Sequence, residues 1–242
     1  MKKEKAYKLL AIQENISNKK AKDLIDRGLV YAGNKKVAIA RGELDIKTKF
    51  KVQNIQKIEK IFEDDNILAV NKPAFLNSEE VSKKMGYPLL NRLDKETSGV
   101  LLLVKNEDFQ KRAIKEYKEQ KVLKEYIAWV DGKIAEEIEI NKPILTIKTS
   151  KAYSKISKDG REAISFVEPL IIEGNKSKVK VTIKTGRTHQ VRVHLKSIGH
   201  PVLGDTAYGG KPHKRMMLHS YKTKLLDYSF IAKEPKEFIN IK

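Results

Sequence analysis

Asn91-Arg92-Leu93-Asp94-Lys95-Glu96-Thr97-Ser98-Gly99 runs without a break into Val100-Leu101-Leu102-Leu103-Val104. The first part is polar and turn-prone. The second is a short apolar run of the kind that fills a strand buried on both faces. A polar loop feeding a core strand can hold a side chain rigidly over a cleft. Gly99–Val104 is also the longest apolar run in the chain. It falls far short of the ~18 residues a membrane-spanning helix needs, so no membrane partner is expected.

Working outward, Glu63-Asp64-Asp65-Asn66 reads as a turn into the buried strand Ile67-Leu68-Ala69-Val70, which Pro73 stops. Downstream, Glu107 to Lys121 is predicted to be helical, with Phe109, Ala113, Ile114 and Tyr117 on one stripe. Lys124-Glu125-Tyr126-Ile127-Ala128-Trp129-Val130 alternates as a strand and ends at Asp131-Gly132. Ala163–Phe166 and Lys178–Lys184 are further strand candidates. Mixed strands with few helices predict an α+β domain over residues 61–242, with a mixed, largely antiparallel sheet, rather than a doubly wound one.

The chain has 242 residues, with 50 Lys and Arg against 31 Asp and Glu, a net charge of +19. That balance suits a partner made of phosphates, although a Lys-rich surface also fits biased codon usage. Only eight of the basic residues are Arg: 27, 41, 92, 112, 161, 187, 192 and 215. In a chain that prefers Lys, those positions are where a planar, permanently charged fork is needed, and Arg92, Arg187 and Arg192 stand out. There is no cysteine, which excludes disulfides, thiolate metal sites and a Cys nucleophile. No apolar stretch follows the basic start Met1-Lys2-Lys3, so a cytoplasmic location is expected.

Residues 1–52 read as a separate module, with 53–60 as a linker. Ser17 can cap a helix through Lys19 to Arg27, stopped by Gly28. Ala21, Leu24 and Ile25 form its apolar stripe and leave Lys19, Lys20 and Lys22 on the wet face. A hairpin is expected around Gly33-Asn34. The pattern Ile16-Ser17, Leu24-Ile25, Gly28-Leu29-Val30 and Gly33-Asn34 resembles the S-four type RNA-binding domain.

All five histidines lie between His189 and His219. Thr188 can cap a helix over His189–Ile198, and a separation of five puts His189 and His194 apart around its axis. With no acidic residue at ligand spacing, no metal site is expected. The same spacing gives Arg187 and Arg192 different tasks. Ser98 sits outside any Gly-x-Ser-x-Gly elbow and reads poorly as a nucleophile.

Arg92-Leu93-Asp94-Lys95-Glu96-Thr97-Ser98-Gly99 resembles the RLDxxTSG signature of the RluA-type pseudouridine synthases. Lys124 to Gly132 is similar to that family's K-x-Y-x-A-x-V-x-G strand. Thr185 to Leu195, with Gly199 to Asp205 after it, resembles its third block. Asp65–Pro73 and Leu218-His219-Ser220 resemble its first and last, all in family order. Two positions depart: Asn91 stands where His is common, and Phe75 where Gly is usual. The segment between Pro73 and Asn91 is also short.

The resemblance implies an isomerase that breaks the N-glycosidic bond of a uridine in RNA, turns the uracil and rejoins it through carbon 5, with no cofactor. An ionised carboxylate is then needed against the electron-poor sugar, as nucleophile or stabiliser. Asp94 takes that place. A dry carboxylate needs a fixed cation, which falls to Arg192, and Tyr126 becomes the general base and the platform for uracil. Arg92 would fill the space left by the extruded base. Arg187 and His189, with Lys19, Lys20, Lys22 and Arg27 of the N-terminal module, complete the expected RNA contacts. The expected partner is 23S ribosomal RNA, with transfer RNA as the other candidate, and the expected state a monomer. The competing reading is a non-catalytic ribosome-assembly factor on the same fold, which need not keep Asp94, Tyr126 and Arg192 together.

Overall fold

The computed structural model describes residues 2–33, 35–147, 152–239 and 241. The chain divides into two compact units, residues 1–56 and 57–242.

The first unit carries β1 (Lys3–Lys5), α1 (Ala6–Glu14), α2 (Asn18–Asp26), β2 (Val30–Ala32), β3 (Lys35–Lys36), β4 (Glu43–Asp45) and β5 (Phe50–Val52). Strands β3, β2 and β5 form one small sheet, and β1 pairs with β4. Leu10, Ala21, Ile25, Val30 and Phe50 make the core. The Ser17 hydroxyl accepts the Lys20 N–H at 3.2 Å, and Gly28 turns the chain out at φ +74°. Leu24 of the expected stripe is only half-buried. Helix α1 was not expected from the sequence, although Ala6, Leu10 and Ala11 sit at helical spacing and are buried.

The second unit carries β6 (Glu59–Glu63), β7 (Ile67–Lys72), α3 (Ser78–Met85), β8 (Ser98–Val104), α4 (Glu107–Lys118), β9 (Leu123–Asp131), β10 (Ile138–Asn141), β11 (Ile144–Ile147), β12 (Tyr153–Ile156), β13 (Ile164–Glu173), β14 (Lys176–Ile183), α5 (Gln190–Ser197), β15 (Leu218–Leu225) and β16 (Tyr228–Ile231). Strand β6 already begins at Glu59, so the connector between the units is shorter than the expected 53–60.

Nine strands form one sheet in the order β10-β13-β14-β9-β15-β8-β7-β6, with β16 beside β15. Among the described residues only β15 and β8 pair in parallel, through His219 opposite Ser98 and Ser220 opposite Gly99. The other pairs are antiparallel. This is the expected α+β architecture with a mixed, largely antiparallel sheet.

Every residue of β8 is buried. Val100 and Leu102 pack with Phe109 and Ala113 of α4, while Leu101 and Leu103 pack with Val81 of α3. The two faces follow from the strand's alternation, so an unbroken apolar run is what a strand covered on both sides requires. Gly99 lies at φ +119°, and a Cβ there would overlap the Ser220 backbone. Any other residue would push the parallel strands apart.

Beside that junction, Ser98 and His219 form a buried hydrogen-bonded chain. Arg215 Nη2 donates to Ser98 Oγ at 2.7 Å, and Ser98 Oγ lies 2.8 Å from His219 Nδ1. Arginine can only donate, so the Ser98 hydroxyl donates onward to Nδ1. His219 Nε2–H then donates to Ala232 O at 3.2 Å. Ser98 is thus a 2% exposed structural hydroxyl.

Burial pushes the His219 pKa from 6.5 down to about 4. Between those values the unfolded chain takes up a proton that the folded chain refuses. The contribution is therefore complete above pH 6.5 and lost as pH falls towards 4, a range of about 3 kcal/mol. In urea denaturation at neutral and acid pH, the wild-type chain should lose stability over this window more steeply than His219→Gln. Parallel curves for the two would contradict the neutral, buried imidazole.

Candidate active site

Asp94 sits in the turn that feeds β8, closed by the Thr97 N–H donating to Asp94 O at 3.0 Å. Buried groups pin both of its neighbours. Ser78 Oγ accepts the Leu93 N–H at 3.0 Å and donates to Leu93 O at 3.1 Å. Lys72 donates from Nζ to Pro73 O, Leu76 O and Lys95 O at 3.0, 2.7 and 3.3 Å. Burial, with Arg215 nearby, pushes the Lys72 pKa down to about 7.

The two departures in sequence fall in the same scaffold. Phe75 takes the left-handed conformation at φ +68° and donates its N–H to Lys95 O at 2.7 Å. Asn91 Oδ1 accepts the Leu102 N–H at 2.8 Å and anchors the loop to β8.

Arg192 comes to Asp94 from α5. Its Nη1 donates to Asp94 Oδ2 at 2.9 Å, while Nε and Nη2 donate in parallel to Asp205 Oδ2 and Oδ1 at 2.7 and 2.8 Å. The Arg192 side chain is 8% exposed, and its guanidinium carbon lies 4.8 Å from the centre of the Tyr208 ring. Burial works against its charge, but the two carboxylates more than offset this, and its pKa stands above the ordinary arginine value. A lysine could not serve both carboxylates in one plane.

His189 Nε2 lies 3.7 Å from Asp94 Oδ1, and its Nδ1 is 2.8 Å from the Tyr208 hydroxyl. That hydroxyl already accepts the Ser154 N–H at 2.9 Å, so its own hydrogen is free to point at Nδ1. Burial holds His189 below the ordinary histidine pKa. The proton of the neutral ring then faces Asp94 from Nε2.

The expected helix over His189–Ile198 begins one residue later. His189 is its N-cap at φ +56°, and Thr188 is not the cap. No side chain caps α5; the Gln190 side chain instead braces the turn before it, accepting the Arg187 N–H at 3.1 Å and the Thr185 hydroxyl at 2.8 Å. His194 is tied to Ser165 Oγ and Lys142 O, both at 2.9 Å, and His200 Nδ1 to Asp131 O at 2.8 Å. Among the described residues no group of three or more acidic or histidine side chains is placed to hold a metal ion.

Tyr126 lies on β9 opposite Ser220 of β15. Burial, helped by the Asp94 carboxylate, pushes its pKa up to about 12. Its phenol is therefore protonated at neutral pH, unlike a base ionised in advance.

Asp94, Tyr126 and Arg192 line one cleft of about 1100 Å³, together with Arg92, Arg187 and His189. Arg92 is largely exposed at its mouth, paired with Glu79 at 2.8 Å. Lys19, Lys20, Lys22 and Arg27 belong to α2 and its C-cap in the other unit, where Lys22 Nζ lies 4.3 Å from the Tyr7 ring centre and Arg27 pairs with Asp23 at 2.9 Å.

Sequence reasoning missed Asp205, Tyr208, Lys72 and Lys124. An acid at the end of the apolar Val202-Leu203-Gly204, and a lysine closing the buried run from Ile67, were the available signals.

A sequence profile described as RNA pseudouridylate synthase matches residues 66–197. The chain is 59% identical over 239 residues to an uncharacterized RNA pseudouridine synthase of Helicobacter pylori strain J99, covering 97% of this chain and 99% of that one. It is 28% identical over 207 residues to the ribosomal large subunit pseudouridine synthase D of Pasteurella multocida, covering 78% of this chain and 63% of that one. Among solved structures, the human RNA pseudouridylate synthase domain containing 1 is similar with a TM-score of 0.64. The two are 26% identical, over 75% of this chain and 84% of the human one.

Proposed function

Because the chain belongs to the RNA pseudouridylate synthase family, an isomerase family acting on RNA, we propose that it modifies uridines of 23S ribosomal RNA and that Asp94 carries the chemistry. The observation that supports Asp94 is its pairing with the buried Arg192 at 2.9 Å on the wall of the cleft, with both adjoining peptides pinned.

In this reading the target uridine leaves its helix and enters the cleft, where Tyr126 offers an aromatic face. The Asp94 carboxylate meets the anomeric carbon as the bond to uracil N1 breaks. The uracil turns, carbon 5 bonds to the anomeric carbon, carbon 5 loses its proton and N1 gains one. No atom is added or lost, so the protein's own groups suffice. Tyr126, held protonated, serves as a platform and as a proton carrier that receives as it gives. Arg92, at the mouth, occupies the place vacated by the base. The similarity to a ribosomal large-subunit synthase supports 23S RNA, and α2 of the N-terminal unit, read as an S-four type element, supplies phosphate contacts.

Pseudouridine mapping of total RNA from a strain lacking the protein tests this. One or a few 23S positions should revert to uridine and return when the gene is restored. Loss confined to transfer RNA would overturn the ribosomal assignment.

A further inference from the structure

The same cleft contains cations that the isomerisation does not use. Strand alternation puts Lys124 on the face of β9 that carries Tyr126, two residues and roughly 7 Å away. Lys124 is 7% exposed. Its Nζ has one acceptor, Thr185 O at 3.0 Å, and lies 5.6 Å from the centre of the Tyr117 ring. It also rests against Gly186, where a Cβ would come within 3.1 Å of it.

Arg187 follows Gly186 in the chain and lies close enough to act on Lys124, and its Nε is spent on Glu162 O at 2.9 Å. Among the described residues neither cation has a carboxylate within 4.0 Å. Tyr117 also lines the cleft, and among the described residues its buried hydroxyl has no hydrogen-bond partner. Burial, with Arg187 beside it, pushes the Lys124 pKa down to about 8. A buried ammonium, a half-buried guanidinium of the same sign and an unused buried hydroxyl form an unfavourable arrangement that one anion would relieve.

We propose that Lys124 and Arg187, beside Gly186 on the cleft wall, clamp one phosphodiester of the substrate RNA beside the uridine that Tyr126 faces. This rests on the functional reading above. Lys124 is then a binding residue that fixes where along the strand the target nucleotide sits, and Tyr117 supplies a hydroxyl to the same phosphate.

The test is filter binding of the full-length protein to a 23S rRNA transcript across a range of salt. Lys124→Met and Arg187→Met should each lose about tenfold in affinity and about 0.7 to 0.9 in the slope of log affinity against log salt. The double variant should lose little more than either alone, because both cations hold one phosphate. Lys124→Arg should keep the wild-type slope. Lys124→Gln, which can still donate towards Thr185 O, replaces the Met variant if that one melts early.

An unchanged slope in both neutral variants at 124 overturns the clamp, as does a double variant that loses twice the slope of a single one. Tritium release from 5-labelled uridine is measured alongside. A wild-type protein that releases none from any RNA overturns the functional reading, while the slopes still decide on Lys124.

Discussion

Asp94→Asn is expected to abolish isomerisation, with tritium release from 5-labelled uridine falling by at least ~10³-fold, the scale on which deleting a nucleophile acts. Its RNA affinity should stay at the wild-type level. Asn is isosteric and can still accept a hydrogen bond from Arg192 Nη1, now 2.9 Å from Asp94, so the turn and cleft survive. The anionic charge that is lost was never an attraction for phosphates. A variant that turns over near the wild-type rate would remove Asp94 from the chemistry. One that also fails to bind RNA would point to a collapsed loop.

The second large effect is expected at Arg192. One planar group meets Asp94 with one nitrogen and Asp205 with two, at 2.9, 2.7 and 2.8 Å. Arg192→Lys keeps the charge but has a single ammonium for two carboxylates. Held by the buried Asp205, it leaves Asp94 unanchored, and turnover should fall by about 100-fold, as a misplacement near 1 Å would cause. Held by Asp94, it leaves Asp205 short of donors in a 3% exposed site, at a stability cost of about 2 kcal/mol. Single-turnover rates and urea denaturation on the same preparation measure the two. Full turnover with unaltered stability would mean that Arg192 merely packs its stem.

How much of this was legible in the sequence differs by element. The turn at Asp94 and strand β8 were readable together, because a polar loop against an unbroken apolar run leaves few other structures. Helix α2 announced itself through Ser17 and Gly28, whereas α1 has no side-chain cap and escaped notice. The start of α5 was misplaced by one residue, since the left-handed turn at His189 is fixed by Tyr208 and Gln190 rather than by a local cap.

The pairing of Asp94 with Arg192 could be anticipated from the resemblance, not from spacing. What holds Arg192 could not: Asp205 and Tyr208 matter through tertiary contact, and their neighbours in sequence carry no period that marks them. Phe75 is the converse case. The position where glycine is usual has a positive φ, and here a buried aromatic occupies it.

The parallel junction of β15 with β8 also dictates when the cleft around Asp94 can be complete. Strand β15 stands between β9 on one side and β8 on the other, so it joins two half-sheets that precede it in the chain. Ser98 must wait for His219, 121 residues later, and Asp94 for Arg192, 98 residues later. Closing such long loops is entropically costly before any contact rewards it, so these pairings come late. During synthesis β8 and β9 each emerge with one edge that stays open until β15 covers it. The N-terminal unit, with its own core, can therefore form before the Asp94–Arg192 pair exists, so RNA contacts through α2 do not have to wait for the cleft.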